Sequence, residues 1–192
     1  MVRVAIFASG AGTNAARIIE YFGSSSDISI DLVITNRKKA GVIEVAKGSR
    51  TPIEVISKET FSDYPEAILS LLDQKKIGFI VLAGFLLKIP KVIIKRFDER
   101  ILNIHPSLLP SFGGPGMYGD HVHNAVLSSN QKVTGITIHK VNEEYDKGEI
   151  VFQKEVSILP YESLESLKSK IHSLEYENFP VVIEETIKKL VK

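Results

Sequence analysis

The chain has 192 residues, 44% of them hydrophobic, and its 24 basic and 23 acidic side chains leave a formal charge of +1. That size and apolar content predict one compact domain over 1–192, and no apolar run is long enough to cross a bilayer. The near-zero charge offers no global field for nucleic acid, and the lack of cysteine excludes disulfides and thiolate metal sites. Arg37-Lys38-Lys39 and Lys188-Lys189 read as solvated surface. Met1 to Ala8 lacks the charged leader, apolar stretch and cleavage site of a signal peptide, so the cytoplasm is the expected location.

Val2 to Ala8 is nearly all apolar, which predicts a strand buried on both faces of a parallel sheet. Ser9-Gly10-Ala11-Gly12-Thr13-Asn14 breaks it, and Ala15 to Phe22 continues as a helix. After the turn Ser24-Ser25-Ser26 come a strand from Ile30 to Thr35, a helix from Gly41 to Lys47 and a strand from Ile53 to Ile56. A helix from about Tyr64 to Gln74 follows, then the strongly apolar strand Phe79 to Ala83, a short helix after Pro90 and a strand opening at Ile101. This alternation predicts an α/β fold, a doubly wound, mostly parallel Rossmann-like sheet. Beyond the loop Ser111 to Asp120 the rhythm changes. Val133 to Val141 and Ile150 to Val156, joined by the polar segment Asn142 to Glu149, predict an antiparallel pair. Ser163 can cap a long terminal helix that Pro180 kinks or divides before Val181 to Leu190.

The most informative stretch is Asn103-Ile104-His105-Pro106-Ser107-Leu108-Leu109-Pro110. Pro106 has no amide hydrogen and cannot continue a ladder, so Asn103 and His105 project from one side of a strand's end, where open α/β sheets place their ligands. An amide and an imidazole suit a reaction that builds charge on a carbonyl oxygen while an amine loses its proton. The bland alternative is a satisfied strand-end histidine beside a proline-shaped turn. The loop Gly10 to Asn14 also has more than one reading. Its glycines and the positive end of the following helix suit a phosphate; Gly10-x-Gly12-x-x-Ala15 with Asn36-Arg37 suits NADP; and a tight turn needs neither. Asp146, between the two late strands, is either a solvated acid or a carboxylate that favours a protonated imidazole.

Read together, Ser9 to Asn14, Leu82-Ala83-Gly84-Phe85, Asn103 to Pro110 and Asp146 resemble the phosphoribosylglycinamide formyltransferase family of enzymes that use 10-formyltetrahydrofolate. The resemblance spans nearly the whole chain, although the Asn103 to Pro110 block is shared with other formyltransferases and hydrolases of that cosubstrate. Methionyl-tRNA formyltransferase has an extra C-terminal domain and formyltetrahydrofolate deformylase an N-terminal regulatory one, and the chain has room for neither. The resemblance implies transfer of the formyl group to the amine of glycinamide ribonucleotide through a tetrahedral intermediate, without a metal. It implies that Asn103 binds the formyl oxygen, that His105 stabilises the oxyanion and moves protons, and that Asp146 pairs with His105 and raises its pKa. Gly12, Thr13 and Asn14 would hold the ribonucleotide phosphate and Glu175 its ribose. Folate would lie between Leu86, Leu87, Lys88 and Ile89 on one side and Asn142, Glu143, Glu144, Tyr145 and Asp146 on the other, with Phe85, Leu86 and Ile89 either pocket walls or ordinary core.

Two features depart from the family pattern. The arginine that often meets the folate glutamate tail has no counterpart in Phe61-Ser62-Asp63-Tyr64-Pro65. The loop after Pro110 is also longer than usual, and its glycines predict mobility and a lid over the ribonucleotide. His121 is expected to contact substrate. A metal site on His121, His123 and His139 is set aside because no acidic residue stands at zinc-ligand spacing. His172 reads equally as surface or as a phosphate contact. An NADP-dependent oxidoreductase is the rival function, and it leaves Asn103, His105 and Asp146 without a role. Open sheet edges permit a homodimer.

Overall fold

Val4 to Ala8 are all wholly buried, as their unbroken apolar run requires of a strand covered on both faces. They belong to β1 (Val2–Phe7) in a computed structural model that describes residues 1–191. The chain continues through α1 (Thr13–Phe22), β2 (Ile28–Thr35), α2 (Val42–Gly48), β3 (Ile53–Val55), α3 (Lys58–Asp63) and α4 (Pro65–Gln74). Then come β4 (Phe79–Leu82), α5 (Lys91–Arg96), β5 (Ile101–His105), α6 (Asp120–Ser128), β6 (Val133–Lys140), β7 (Ile150–Ser157) and α7 (Leu164–Leu190).

The strands form one 7-stranded sheet in the order β3-β2-β1-β4-β5-β6-β7. Pairing is parallel from β3 to β5 and antiparallel from β5 through β7. The chain moves outward from β1 through β2 and β3, then returns to add β4 on the other side. This reversal opens a crevice beyond the carboxyl ends of β1 and β4, the usual place for a ligand in such sheets. Two cores cover the sheet. One packs α1, α2, α6 and α7 on residues such as Val4, Ile6, Val81, Leu102 and Ile104. The other packs α3, α4 and α5 on Ala5, Phe7, Ile80, Leu82 and Ile101.

The fold class and the antiparallel late pair follow the sequence expectation. Two helices absent from it are α3 and α6. α3 is six residues long, too short to display a period; the Ser57 hydroxyl caps it by accepting the Thr60 N–H at 3.1 Å, and it buries only Phe61. α6 buries Val122, His123 and Val126, a stripe diluted by polar residues. Pro180 does not divide the terminal helix, since α7 runs 27 residues through it. Burial of Phe179, Val182, Ile183 and Ile187 against the core outweighs the loss of one internal bond.

The connection from β6 to β7 folds back tightly onto β6. A Cβ on Gly148 would lie 1.6 Å from the Lys140 carbonyl oxygen, which is backbone and cannot rotate away. Gly148→Ala is therefore expected to cost about 2 kcal/mol or more by forcing the connection off the sheet. Urea unfolding measures this, and a midpoint equal to that of the parent would show that the close approach is relaxed in solution.

Candidate active site

On β5, Leu102 and Ile104 point into the α7-side core and Ile101 into the other, so Asn103 and His105 share the face of Ile101. The antiparallel register sets Asn103 opposite His139 and His105 opposite Thr137. Buried Thr137 fixes the turn that follows β5. Its hydroxyl donates to the Ser107 carbonyl at 2.7 Å and accepts the Leu109 N–H at 2.9 Å. The Gln153 amide donates to the same hydroxyl and to the Leu109 carbonyl, both at 2.9 Å.

Carbonyl acceptors decide the two imidazole orientations, because a carbonyl cannot donate. His105 Nε2 donates to the Phe112 carbonyl at 2.8 Å, which turns Nδ1 toward Asp146 Oδ2 at 3.7 Å. His139 Nδ1 donates to the Lys140 carbonyl at 2.8 Å, leaving Nε2 to accept the Asn103 amide at 3.0 Å. Asp146 Oδ1 lies 3.6 Å from His139 Nε2, and Oδ2 accepts the Gly114 N–H at 2.8 Å. Asp146 itself has a left-handed backbone, with φ at 55°, a conformation that Asp and Asn adopt more readily than most residues.

Burial lowers the His105 pKa, and this outweighs the opposing pull of Asp146 and of the Phe112 carbonyl. The expectation that Asp146 leaves the imidazole with a raised pKa is thus corrected: the carboxylate acts in the expected direction, but desolvation dominates. For Asp146 burial acts upward, yet the His139 and His105 rings when protonated, together with the Gly114 N–H, hold its carboxyl below the usual value. A neutral imidazole therefore faces an ionised carboxylate.

Two hollows meet at these groups. A narrow hollow is lined by Leu82, Phe85, Leu87, Lys88, Ile89, Asn142, Glu144 and Tyr145, together with Asn103, His139 and Asp146. A broader, more open cleft runs from the Gly10–Asn14 loop past His105 to His123, His172 and Glu175. Phe85, Asn103 and Asp146 line both. The first N–H groups of α1 have no carbonyl within the helix to bind, and they open on the cleft beside Gly12, Thr13 and Asn14. Gly12 is required there: its φ is 83° and a Cβ would stand 2.6 Å from the Val42 Cα.

Most expected contacts gather at these hollows, and a few do not. Leu86 lines the cleft rather than the cavity. Glu143 faces outward and pairs with Lys91 at 2.6 Å. His121 lines neither hollow; its ring packs edge-on against Tyr118 at 5.4 Å. The long loop is tethered rather than free, through the Phe112 carbonyl, the Gly114 N–H and an ion pair of Asp120 with Lys168 at 2.6 Å. Asn36, considered for an NADP phosphate, accepts the Ser9 hydroxyl at 2.6 Å inside the loop cluster. Buried His123, which sequence reasoning left unassigned, lines the cleft with an Nδ1 that has no protein partner, and burial lowers its pKa to about 4. No group of His, Asp or Glu among the described residues is arranged to hold a metal.

Residues 2–183 match the family described as Formyl transferase. The chain belongs to the formyl transferase family. It is 39% identical over 198 residues to the chloroplastic phosphoribosylglycinamide formyltransferase of Arabidopsis thaliana, covering 97% of this chain and 67% of that one. The phosphoribosylglycinamide formyltransferase of Bacillus subtilis is 34% identical, with 97% of this chain and 95% of the relative covered. The crystal structure of phosphoribosylglycinamide formyltransferase from Bacillus halodurans superposes with a TM-score of 0.89 at 36% identity, covering 98% and 96% of the two chains. This formyltransferase thus shares its fold with solved family members along almost its whole length.

Glu175 is buried in the cleft and accepts the Asn14 amide at 2.8 Å. Burial raises its carboxyl from 4.5 to about 7, against the weaker effect of Asn14. The folded chain thus holds this proton more tightly than the unfolded one, so the stability it contributes is full below pH 4.5 and is lost as pH rises through about 7. Glu175→Gln, which cannot ionise, is expected to be more stable than the parent by urea unfolding at about pH 8 and similar to it at about pH 4.5. A difference independent of pH would contradict the raised carboxyl.

Proposed function

We propose that the protein transfers the formyl group of 10-formyltetrahydrofolate to the amine of N1-(5-phospho-D-ribosyl)glycinamide, giving formylglycinamide ribonucleotide and tetrahydrofolate in purine synthesis. The observation that carries this reading is the meeting of two hollows at Asn103 and Asp146. One is narrow and walled by Phe85, Leu87 and Ile89, which suits a flat pterin; the other runs to a helix N-terminus, which suits a ribonucleotide phosphate. In this reading Leu87, Lys88, Ile89 and the 142–146 backbone surround the folate, with Leu86 on the side of the ribonucleotide cleft. Gly12, Thr13 and Asn14 hold the phosphate, with Glu175 on the ribose, and His121 contacts substrate only if the Tyr118 loop moves.

The chemistry follows from the hydrogen bonds. One Asn103 amide hydrogen is committed to His139, which fixes the plane of the amide and leaves the other to meet the formyl oxygen as it gains charge. As the amine attacks, it must lose a proton, and the neutral His105 Nδ1 can take it. The imidazolium then forms 3.7 Å from the Asp146 carboxylate, and as the bond from the formyl carbon to the folate N10 breaks it returns the proton to N10, so that tetrahydrofolate leaves neutral. Asp146 thereby stabilises a charge that exists only once the reaction is under way, which lowers the barrier rather than merely tightening binding. No metal enters this route. Residues 1–192 act here as a single formyltransferase domain working in the cytoplasm on small molecules, with no nucleic acid or membrane partner, and the open sheet edges permit a homodimer.

The test is a formyl-transfer assay with glycinamide ribonucleotide, followed by the absorbance change of the folate product. The parent is expected to turn over, and His105→Ala to lose at least about a hundredfold in kcat while remaining folded. Full turnover by that variant would remove His105 from the mechanism. Asp146→Asn deletes the influence that raises the His105 pKa, so the acidic limb of kcat/KM should move to lower pH while kcat falls. An unmoved limb would detach Asp146 from the proton step.

A further inference from the structure

Proline at position 180 leaves a specific gap in α7. It has no N–H, so the carbonyl of Tyr176, four residues earlier, receives no bond from within the helix at that position. Tyr176 follows Glu175 directly, and the unfilled carbonyl therefore sits in the turn that aims Glu175 into the cleft. A loose turn here would let Glu175 drift.

The donor comes from α1. Arg17 Nε donates to the Tyr176 carbonyl at 3.4 Å, while Asn14, one turn earlier on the same helix face, donates to Glu175 Oε2 at 2.8 Å. A turn later the Tyr21 hydroxyl donates to Glu184 Oε2 at 2.7 Å. Residues 14, 17 and 21 of α1 thus grip 175, 176 and 184 of α7 in ascending order. The middle grip falls on the carbonyl that Pro180 vacates. The Arg17 guanidinium also pairs with Glu20 at 3.0 Å, which holds its fork over that turn.

We infer that Arg17 is a positioning residue for ribonucleotide binding: it replaces the hydrogen bond that Pro180 removes from α7 and so holds Glu175 in register with Asn14. Arg17 lines neither hollow. It acts through the helix, and its effect is confined to one substrate. This inference rests on the proposed ribonucleotide role of the Asn14 and Glu175 pair.

The experiment is a double-mutant cycle in the formyl-transfer assay with the full chain. Arg17→Met keeps an apolar stem but removes the donor. It is expected to raise the KM for the ribonucleotide by roughly fivefold to tenfold, with kcat and the KM for 10-formyltetrahydrofolate unchanged. Pro180→Ala restores an N–H to α7 that can reach the Tyr176 carbonyl. On that background Arg17→Met should change the ribonucleotide KM by less than about twofold. An equal penalty in both backgrounds, or equal increases in both KM values, would overturn the positioning role in an active enzyme. A parent protein with no formyl transfer at all would overturn the proposed function, and the role of Arg17 with it. Unfolding midpoints of all four proteins separate these outcomes from simple loss of fold.

Discussion

A carboxylate enclosed between two imidazoles governs the end of the sheet. Asp146 faces His105 on one oxygen and His139 on the other, and it also accepts a backbone N–H from the long loop. Each neighbour in turn is oriented by a carbonyl, Phe112 for His105 and Lys140 for His139. Buried polar groups of this kind are costly unless satisfied, and here the bonds that satisfy them also dictate which nitrogen of each ring is left to react. The 111–119 loop, which follows β5, and the 142–149 connection, which joins β6 to β7, converge on one carboxyl group. Orientation of the chemical groups and closure of these loops are consequently one problem.

Topology explains why two substrates can reach that point. The reversal between β1 and β4 opens the crevice, and the loops after both strands line its cleft. Buried Ser9 ties them together, accepting the Leu86 N–H at 3.0 Å and donating to Asn36. The neighbouring β5 then carries Asn103 and His105 to the wall shared by cleft and cavity. A donor at the start of α1 and a proton acceptor at the end of β5 are therefore placed by the backbone, with no flexible arm between them. Such rigidity suits a reaction whose demand is alignment of two bound molecules.

Much of this was legible in the sequence because the strands that matter are short apolar runs ending in polar residues. Asn103 and His105 could be assigned to one face from their spacing alone, and Asp146 stood out only when set beside them. His139 could not be read in the same way. Its role depends on the antiparallel register that puts it opposite Asn103, and a strand sequence does not reveal its partner's register. The net direction of the His105 pKa was misjudged for a related reason: proximity to a carboxylate can be guessed from motifs, whereas the depth of burial comes from the packing of the whole loop cluster. Glu143 and Asp146, three residues apart in one segment, take opposite directions, outward to Lys91 and inward to the imidazoles. Pro180 shows the converse, a strong local signal overruled by the apolar face around it.

For this chemistry His105 must rest as a neutral ring with its proton on Nε2, ready to accept another on the side of Asp146. Nitrogen-15 NMR of the histidine side chains across pH reads this directly. The His105 signals are expected to report an Nε2-protonated neutral ring at pH 7, with a midpoint below the usual 6.5. A ring that is already an imidazolium at pH 7, or one whose proton sits on Nδ1, would contradict it.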